Sequence, residues 1–494
     1  MEFEYKSLTE LRQLLDTKQV SSVELTKYFL ARIKKYDKDL NSFITVCEEE
    51  ALKQAMLADD FMTAKGDNPF LCGIPYASKD LFLTKGVRTT AASRILENYL
   101  PPYEGQVTAR LKEQKSVLLG KTNLDEFAHG SSTETSAFGP SKNPWDTSRI
   151  PGGSSGGSTA AVAGGLAPWA TATETGGSIR QPSSLCGISG WKPTYGRVSR
   201  NGIIAMGSSL DCPGVVGYSV EDLSQLAEII SGKDTHDSTT GDVPVPTYRK
   251  NLTADLQGIR LGIPKEYFVD GMEADVKTSV LNAVKELEKL GAKISEVSLP
   301  NTKYGSLVYA IICPSEVSSN LMRYDGIRFG HSAKNAKNLL EVYAKSRAEG
   351  FGDEAKRRIL TGTYVLSAGY YDAYYKRAQK VRRLLVNEFI EVFKNIDALV
   401  CPASPNVAVK IGNAKNNPLF GYIADQLNIP SSLAGLPAVS VPCGMGKPSD
   451  GDSVTLPIGL QIIGPQWGEQ TIFNVGYAYQ QVTEWHKKHP LLSV

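Results

Sequence analysis

An α/β fold is predicted for this 494-residue chain by three observations. Short apolar runs rich in branched residues alternate along the whole length with stretches whose apolar positions recur at helical spacing. One strand–helix–strand unit, over 259–297, favours parallel pairing. Hydrophobic residues make up 41% and charged residues 21% of the chain, an ordinary soluble balance with enough length to bury a large core.

The elements follow in order. Ser7 with Glu10, and Ser21 with Glu24, match the capping box, in which a serine and a glutamate three residues later satisfy each other's orphan amides. Two N-terminal helices are therefore predicted, the second carrying helical apolar spacing over 23–36. Strands are predicted over 71–77, leading to Lys79, and over 116–119. The stretch 130–217 is rich in Gly, Ser, Thr and Pro and has the composition of a linker. It also carries Trp145, Trp169, Trp191, Ile203 and Ile204, which a solvated linker does not need, so it is assigned to the folded core. A helix over 219–230 has Gly232 suited to its C-terminal cap. A strand over 259–263 and a helix over 274–290, ending at Gly291, lead to a strand over 293–297. The stretch 371–396 is mostly helical, and strands follow over 398–401, 438–442 and 459–463. No repeat or interdomain linker is evident. One domain is expected over 1–494, with N-terminal helices at about 5–40 and a core at about 70–215.

Composition narrows the function. A net charge of +2 provides no strong field for gripping nucleic acid or an anionic membrane. The seven cysteines are scattered and form no C-x-x-C, which argues against a disulfide framework or a zinc site. The acidic start MEFEYKSLTE has no apolar signal region, and no run of about 18 apolar residues is present. A cytoplasmic protein is expected.

Two glycine–serine clusters carry the chemistry. The first is Pro151-Gly152-Gly153-Ser154-Ser155-Gly156-Gly157-Ser158 and the second Thr175-Gly176-Gly177-Ser178-Ile179-Arg180-Gln181-Pro182. Glycine lets the backbone approach a ligand closely, and consecutive amides in such a turn can converge on one oxygen. A serine at the end of the turn would then share a rigid segment with an oxyanion hole. That serine needs a base. Of five histidines only His129 falls near the clusters, so a lysine made neutral by burial is the alternative. Lys79, in Gly73-Ile74-Pro75-Tyr76-Ala77-Ser78-Lys79-Asp80, follows an apolar strand and should be partly buried; on local pattern alone, a surface lysine at a strand end is the favoured reading.

Together these segments resemble the amidase signature family, over nearly the whole chain. GIPYASKD matches the family's lysine segment, PGGSSGGSTAAV its glycine–serine core and TGGSIRQPSSLCGISGWKPTYGRVS its nucleophile segment. The resemblance implies a large mixed β-sheet flanked by helices on both faces. It implies a relay of Lys79, Ser154 (after a cis peptide bond) and the nucleophile Ser178, with the amides of Thr175, Gly176, Gly177 and Ser178 as oxyanion donors. No cofactor is implied in this chain. Within the family, Lys121-Thr122-Asn123-Leu124-Asp125-Glu126-Phe127, Arg323–Gly330, Gly350-Phe351-Gly352 with Lys356-Arg357-Arg358, and SAGYYDAYYKRAQKVR over 367–382 most resemble the A subunits of bacterial tRNA-dependent amidotransferases. Those release ammonia from glutamine. A B subunit, where ATP and Mg are expected, uses the ammonia to amidate a misacylated tRNA, and a small C subunit holds the pair together. The tRNA is held mainly through the B subunit, and its identity, charged with glutamate or aspartate, belongs to that partner. By the same resemblance Arg358 takes the α-carboxylate of glutamine and Asp425 its α-ammonium. On local pattern Arg358 reads instead as a solvated charge in a basic run.

The resemblance departs at Glu174, where the family has aspartate and where a longer side chain could shift the oxyanion loop; at His129, where it commonly has methionine; and at Cys212-Pro213-Gly214-Val215, where it usually continues with glutamine. Two other functions stay open: a stand-alone amidase for another small or hydrophobic amide, and a catalytically silent scaffold. Gly152–Gly156 spells the G-x-S-x-G of α/β-hydrolases, but the proline-bracketed segment before it is no strand. Gly120-Lys121-Thr122 lacks the first glycine of a phosphate loop, and Ser189-Gly190-Trp191-Lys192 lacks the helix and companion motifs of S-x-x-K enzymes.

Overall fold

The structure is a computed structural model that describes residues 2–64, 68–413, 417 and 419–492. The chain enters through the two capped helices, Leu8–Asp16 and Ser22–Leu40, and both capping boxes are formed. Ser7 Oγ accepts the Glu10 amide at 3.2 Å while Glu10 accepts the Ser7 amide at 2.8 Å; Ser21 and Glu24 repeat the exchange at 3.1 and 2.8 Å.

Among the described residues eleven strands form one mixed sheet. They are β1 (Phe43–Val46), β2 (Pro75–Lys79), β3 (Val117–Thr122), β4 (Trp169–Glu174), β5 (Ser189–Lys192), β6 (Cys212–Gly217), β7 (Arg260–Pro264), β8 (Lys293–Val297), β9 (Ala398–Pro402), β10 (Ala438–Gly446) and β11 (Leu456–Ile463). Their spatial order is β1-β3-β2-β4-β6-β5-β10-β11-β9-β7-β8. β2 is parallel to β3 and β4, and β7 is parallel to β8 and β9; the remaining pairs are antiparallel. The parallel pairing expected over 259–297 is thus present, with the helix Ala274–Lys289 as its crossover.

Most strands are buried at every position, including β2 through β6, β9 and β11. Side chains alternate between sheet faces, so continuous burial requires helices over both faces. The glycine-rich middle is core. Trp169 and Trp191 are fully buried, and Trp169 stacks on Tyr76 with ring centroids 5.0 Å apart.

Several boundaries differ from expectation. The strand expected over 71–77 begins at Pro75 and runs through Lys79, because 71–73 turn back before it. The long helix starts at Tyr375 and ends at Val392, preceded by turns over 370–374. Among the described residues no helix is long and apolar enough to cross a membrane.

Candidate active site

Lys79 is the last residue of β2 and is fully buried. Its Nζ donates to Ser154 Oγ, Ser155 Oγ and Thr173 Oγ1, each at 2.8 Å, and lies 3.4 Å from the Thr173 carbonyl. Burial draws its pKa down to about 7, against the opposing pull of Asp125, Asp211 and Glu174. A desolvated ammonium gives up its proton readily, so a large fraction of Lys79 is neutral amine near neutral pH and can accept a proton from a serine hydroxyl. The surface reading of Lys79 and the expectation of partial burial are both replaced by complete burial against β4 and the first glycine–serine cluster.

The first glycine–serine cluster runs over this lysine into the helix Gly156–Ala163. The Gly153–Ser154 peptide is cis. The Gly153 amide donates to Gln181 Oε1 at 3.1 Å, and the Ser154 carbonyl accepts the Asp125 amide at 3.3 Å. A Cβ on Gly153 would collide with the Asp125 carboxylate and the Ser131–Ser132 backbone, so only glycine lets the loop lie this close.

Ser178 ends the turn between β4 and the helix Arg180–Cys186. Among the described residues, none of the amides of Thr175, Gly176, Gly177 and Ser178 donates a hydrogen bond, and the Ser178 hydroxyl has no partner. Uncommitted amides in a buried turn suit a developing oxyanion. The turn is held from behind. Glu174 accepts the amides of Ile179 and Arg180 at 3.0 and 3.2 Å and Arg180 Nε at 2.9 Å. Arg180, fully buried, also donates to Gln461, Ser431, Ser432 and the Gly176 and Asn428 carbonyls. The two loops meet where the Ser155 amide donates to the Ser178 carbonyl at 3.2 Å. Lys79 and Ser154 are therefore brought together, and Ser178 lies on the adjoining loop without a hydrogen bond to Ser154.

A cavity of about 520 Å³ opens beside this site, its wall including Arg358, Glu354, Ser131, His129 and Tyr422. Arg358 is 6% exposed, which excludes the solvated-face reading; its Nε donates to Glu354 at 2.7 Å. Asp425 is buried and accepts Ser131 Oγ at 2.6 Å on one oxygen, while the other has no partner among the described residues. Burial raises its pKa to about 8, partly offset by the Ser131 bond. Asp425 packs on Gly177, where a Cβ would collide with its carboxylate. The Asp425 carboxyl group thus touches the turn that carries Ser178 and reaches, through Ser131, the cavity that holds Arg358. Among the described residues no cluster of three or more His, Cys, Asp or Glu side chains is placed to hold a metal ion.

The Amidase family model matches residues 24–473. The chain belongs to this amidase family. It is 50% identical over 488 residues to the A subunit of glutamyl-tRNA(Gln) amidotransferase from Marinomonas sp. (strain MWYL1), covering 99% of each chain. It is 51% identical over 492 residues to that of Geotalea daltonii (strain DSM 22248 / JCM 15807 / FRC-32), covering 100% of each. Among solved structures, the A subunit of the Thermotoga maritima glutamyl-tRNA(Gln) amidotransferase is 40% identical with a TM-score of 0.80, over 98% of this chain and 96% of that one. The native peptide amidase of Stenotrophomonas maltophilia is 29% identical with a TM-score of 0.82, over 97% and 96%.

In this amidase the departures from the family pattern find their places. Glu174 is locked into the Arg180 pair, its length spent on reaching the helix amides. Cys212 opens β6 and is buried against β4. His129 is buried in the cavity wall. The sequence does not single out Thr173, Ser131 and Tyr309, whose hydroxyl bonds Thr175 Oγ1 at 2.7 Å. No local pattern marks them, because each meets the site only through folding.

Proposed function

We propose that this amidase is the glutamine-hydrolysing subunit of a tRNA-dependent amidotransferase. The observation that carries the reading is that Arg358 lines a cavity beside the Ser178 turn, while Asp425, packed on Gly177, reaches the same cavity through Ser131. Glutamine carries an α-carboxylate and an α-ammonium, so a selective pocket needs both signs at separate points. The names of the full-length relatives support the same activity.

In the reaction, neutral Lys79 takes the proton of Ser154, which takes that of Ser178 as its oxygen attacks the side-chain amide carbon. The amides of residues 175–178 receive the oxyanion. The proton passes to the leaving nitrogen, ammonia departs, and water hydrolyses the Ser178 ester. Partner B and C subunits complete the assembly, with ATP, Mg and most of the tRNA contact on the B subunit. The net charge of +2 suits a subunit that leaves nucleic acid to its partner.

The test compares glutamine with butanamide, which keeps the scissile amide and carbon chain and lacks both charges. Arg358→Ala and Asp425→Ala each lower kcat/KM for glutamine at least about tenfold, about 1.4 kcal/mol, and leave butanamide hydrolysis at the parent's rate. Equal losses on both substrates would make these residues supports of the catalytic turn. No loss on either would favour a stand-alone amidase with a different pocket. Ser178→Ala is inactive on both. Lys79→Arg, which cannot give up its charge, is nearly as inactive as Lys79→Ala.

A further inference from the structure

His129 has no solvent exposure, and neither Nδ1 nor Nε2 has a hydrogen-bond partner among the described residues. Buried polar atoms are satisfied in the great majority of cases, so an orphaned imidazole needs an explanation. His129 lines the same cavity as Arg357 and Arg358. Its basicity is held far below the usual histidine range, by burial first and then by the charges of Arg358 and Arg357. It is a neutral ring, with one N–H to give and one bare nitrogen.

The neighbouring arginine is incompletely available. Arg358 commits Nε to Glu354 at 2.7 Å, and Nη1 has Cys313 Sγ at 3.9 Å. A carboxylate approaching Arg358 therefore meets the Nη groups without the Nε that completes a side-on fork, and needs another donor for its remaining lone pairs. Arg357 and Arg358 bring two guanidiniums to this cavity wall, and Ser131, on the same wall, leads to the Asp425 carboxyl group.

We propose that His129 is a specificity-determining residue, whose imidazole N–H donates to the substrate α-carboxylate held by Arg358. The proposal rests on glutamine being the substrate. A neutral donor supplies direction without a third positive charge, which would oppose the cation at Asp425.

The experiment uses the full-length chain with His129→Leu, which removes the donor, and His129→Gln, whose amide N–H replaces it. The substrates are glutamine and 4-aminobutanamide, which keeps the ammonium and lacks the carboxylate. His129→Leu is expected to raise KM for glutamine about tenfold, the loss of one buried bond to a charged group, with kcat changed less than about twofold. It leaves 4-aminobutanamide kinetics at the parent's values, and His129→Gln restores most of the glutamine KM. An unchanged glutamine KM in His129→Leu, equal losses on the two substrates, or a glutamine variant no better than leucine would overturn the proposal and leave the glutaminase reading standing. A parent chain that hydrolyses 4-aminobutanamide but not glutamine would remove both.

Discussion

At the scale of the residue, the chemistry turns on what burial does to two charges. Lys79 works as a base only when neutral, and burial sets its pKa near 7, so its competent fraction rises with pH through that value. Under the proposed function Asp425 would pair with an ammonium only when ionised, and burial sets its pKa at about 8, so its competent fraction rises later. An incoming cation favours the carboxylate and draws that proton off. Both effects have the same sign, but only glutamine feels the second. For butanamide, kcat/KM should rise with pH and reach half its plateau near 7. For glutamine the rise should extend about one pH unit higher. Profiles from pH 6 to 9 on both substrates check this; coincident profiles would show that Asp425 does not read the ammonium.

At the scale of the element, the turn that carries Ser178 is only as rigid as the ion pair behind it. Glu174 ends β4, Arg180 opens the next helix, and both are fully buried. The pair fixes the five residues between strand and helix from both ends. Breaking one partner strands the other charge without water, which costs about 3–5 kcal/mol, whereas removing both charges is far cheaper. Arg180→Met should therefore destabilise the protein by about that amount, and Glu174→Gln added to it should restore at least half. Urea unfolding of the parent, the single and the double variant measures both steps. Hydrolysis should stay impaired in the double variant, because the turn has lost its anchor to Ser431, Ser432 and Gln461. A double variant no more stable than the single would place the anchor elsewhere.

At the scale of the molecule, the sheet is stitched out of sequence order. β10 and β11 stand between β5 and β9, so residues 438–463 join the edge β9-β7-β8 to the strands that carry the site. Removing them would bare buried edges on both sides. We therefore expect the chain to behave as one domain and unfold in one cooperative step, with far-UV and near-UV circular dichroism tracing the same urea curve. An early transition confined to one signal would divide the sheet into independent units.

The sequence by itself determined what is encoded locally. The capping boxes of the first two helices are contests between a backbone and its own neighbours three residues away, and both formed as expected. The strand–helix–strand unit ending at Val297 was legible from its periodicity and paired in parallel. The glycine–serine clusters announced two close turns, because that backbone geometry has few other residues to choose from. Tertiary structure decided the rest. On local pattern Lys79 and Arg358 read as surface charges, and only the closed chain buries them. Arg180 meets Ser431 and Gln461 across 251 and 281 residues, and Ser131 meets Asp425 across 294. A side chain's charge and orientation depend on the atoms packed around it, and at these positions the packing atoms come from remote segments whose arrival no local pattern records.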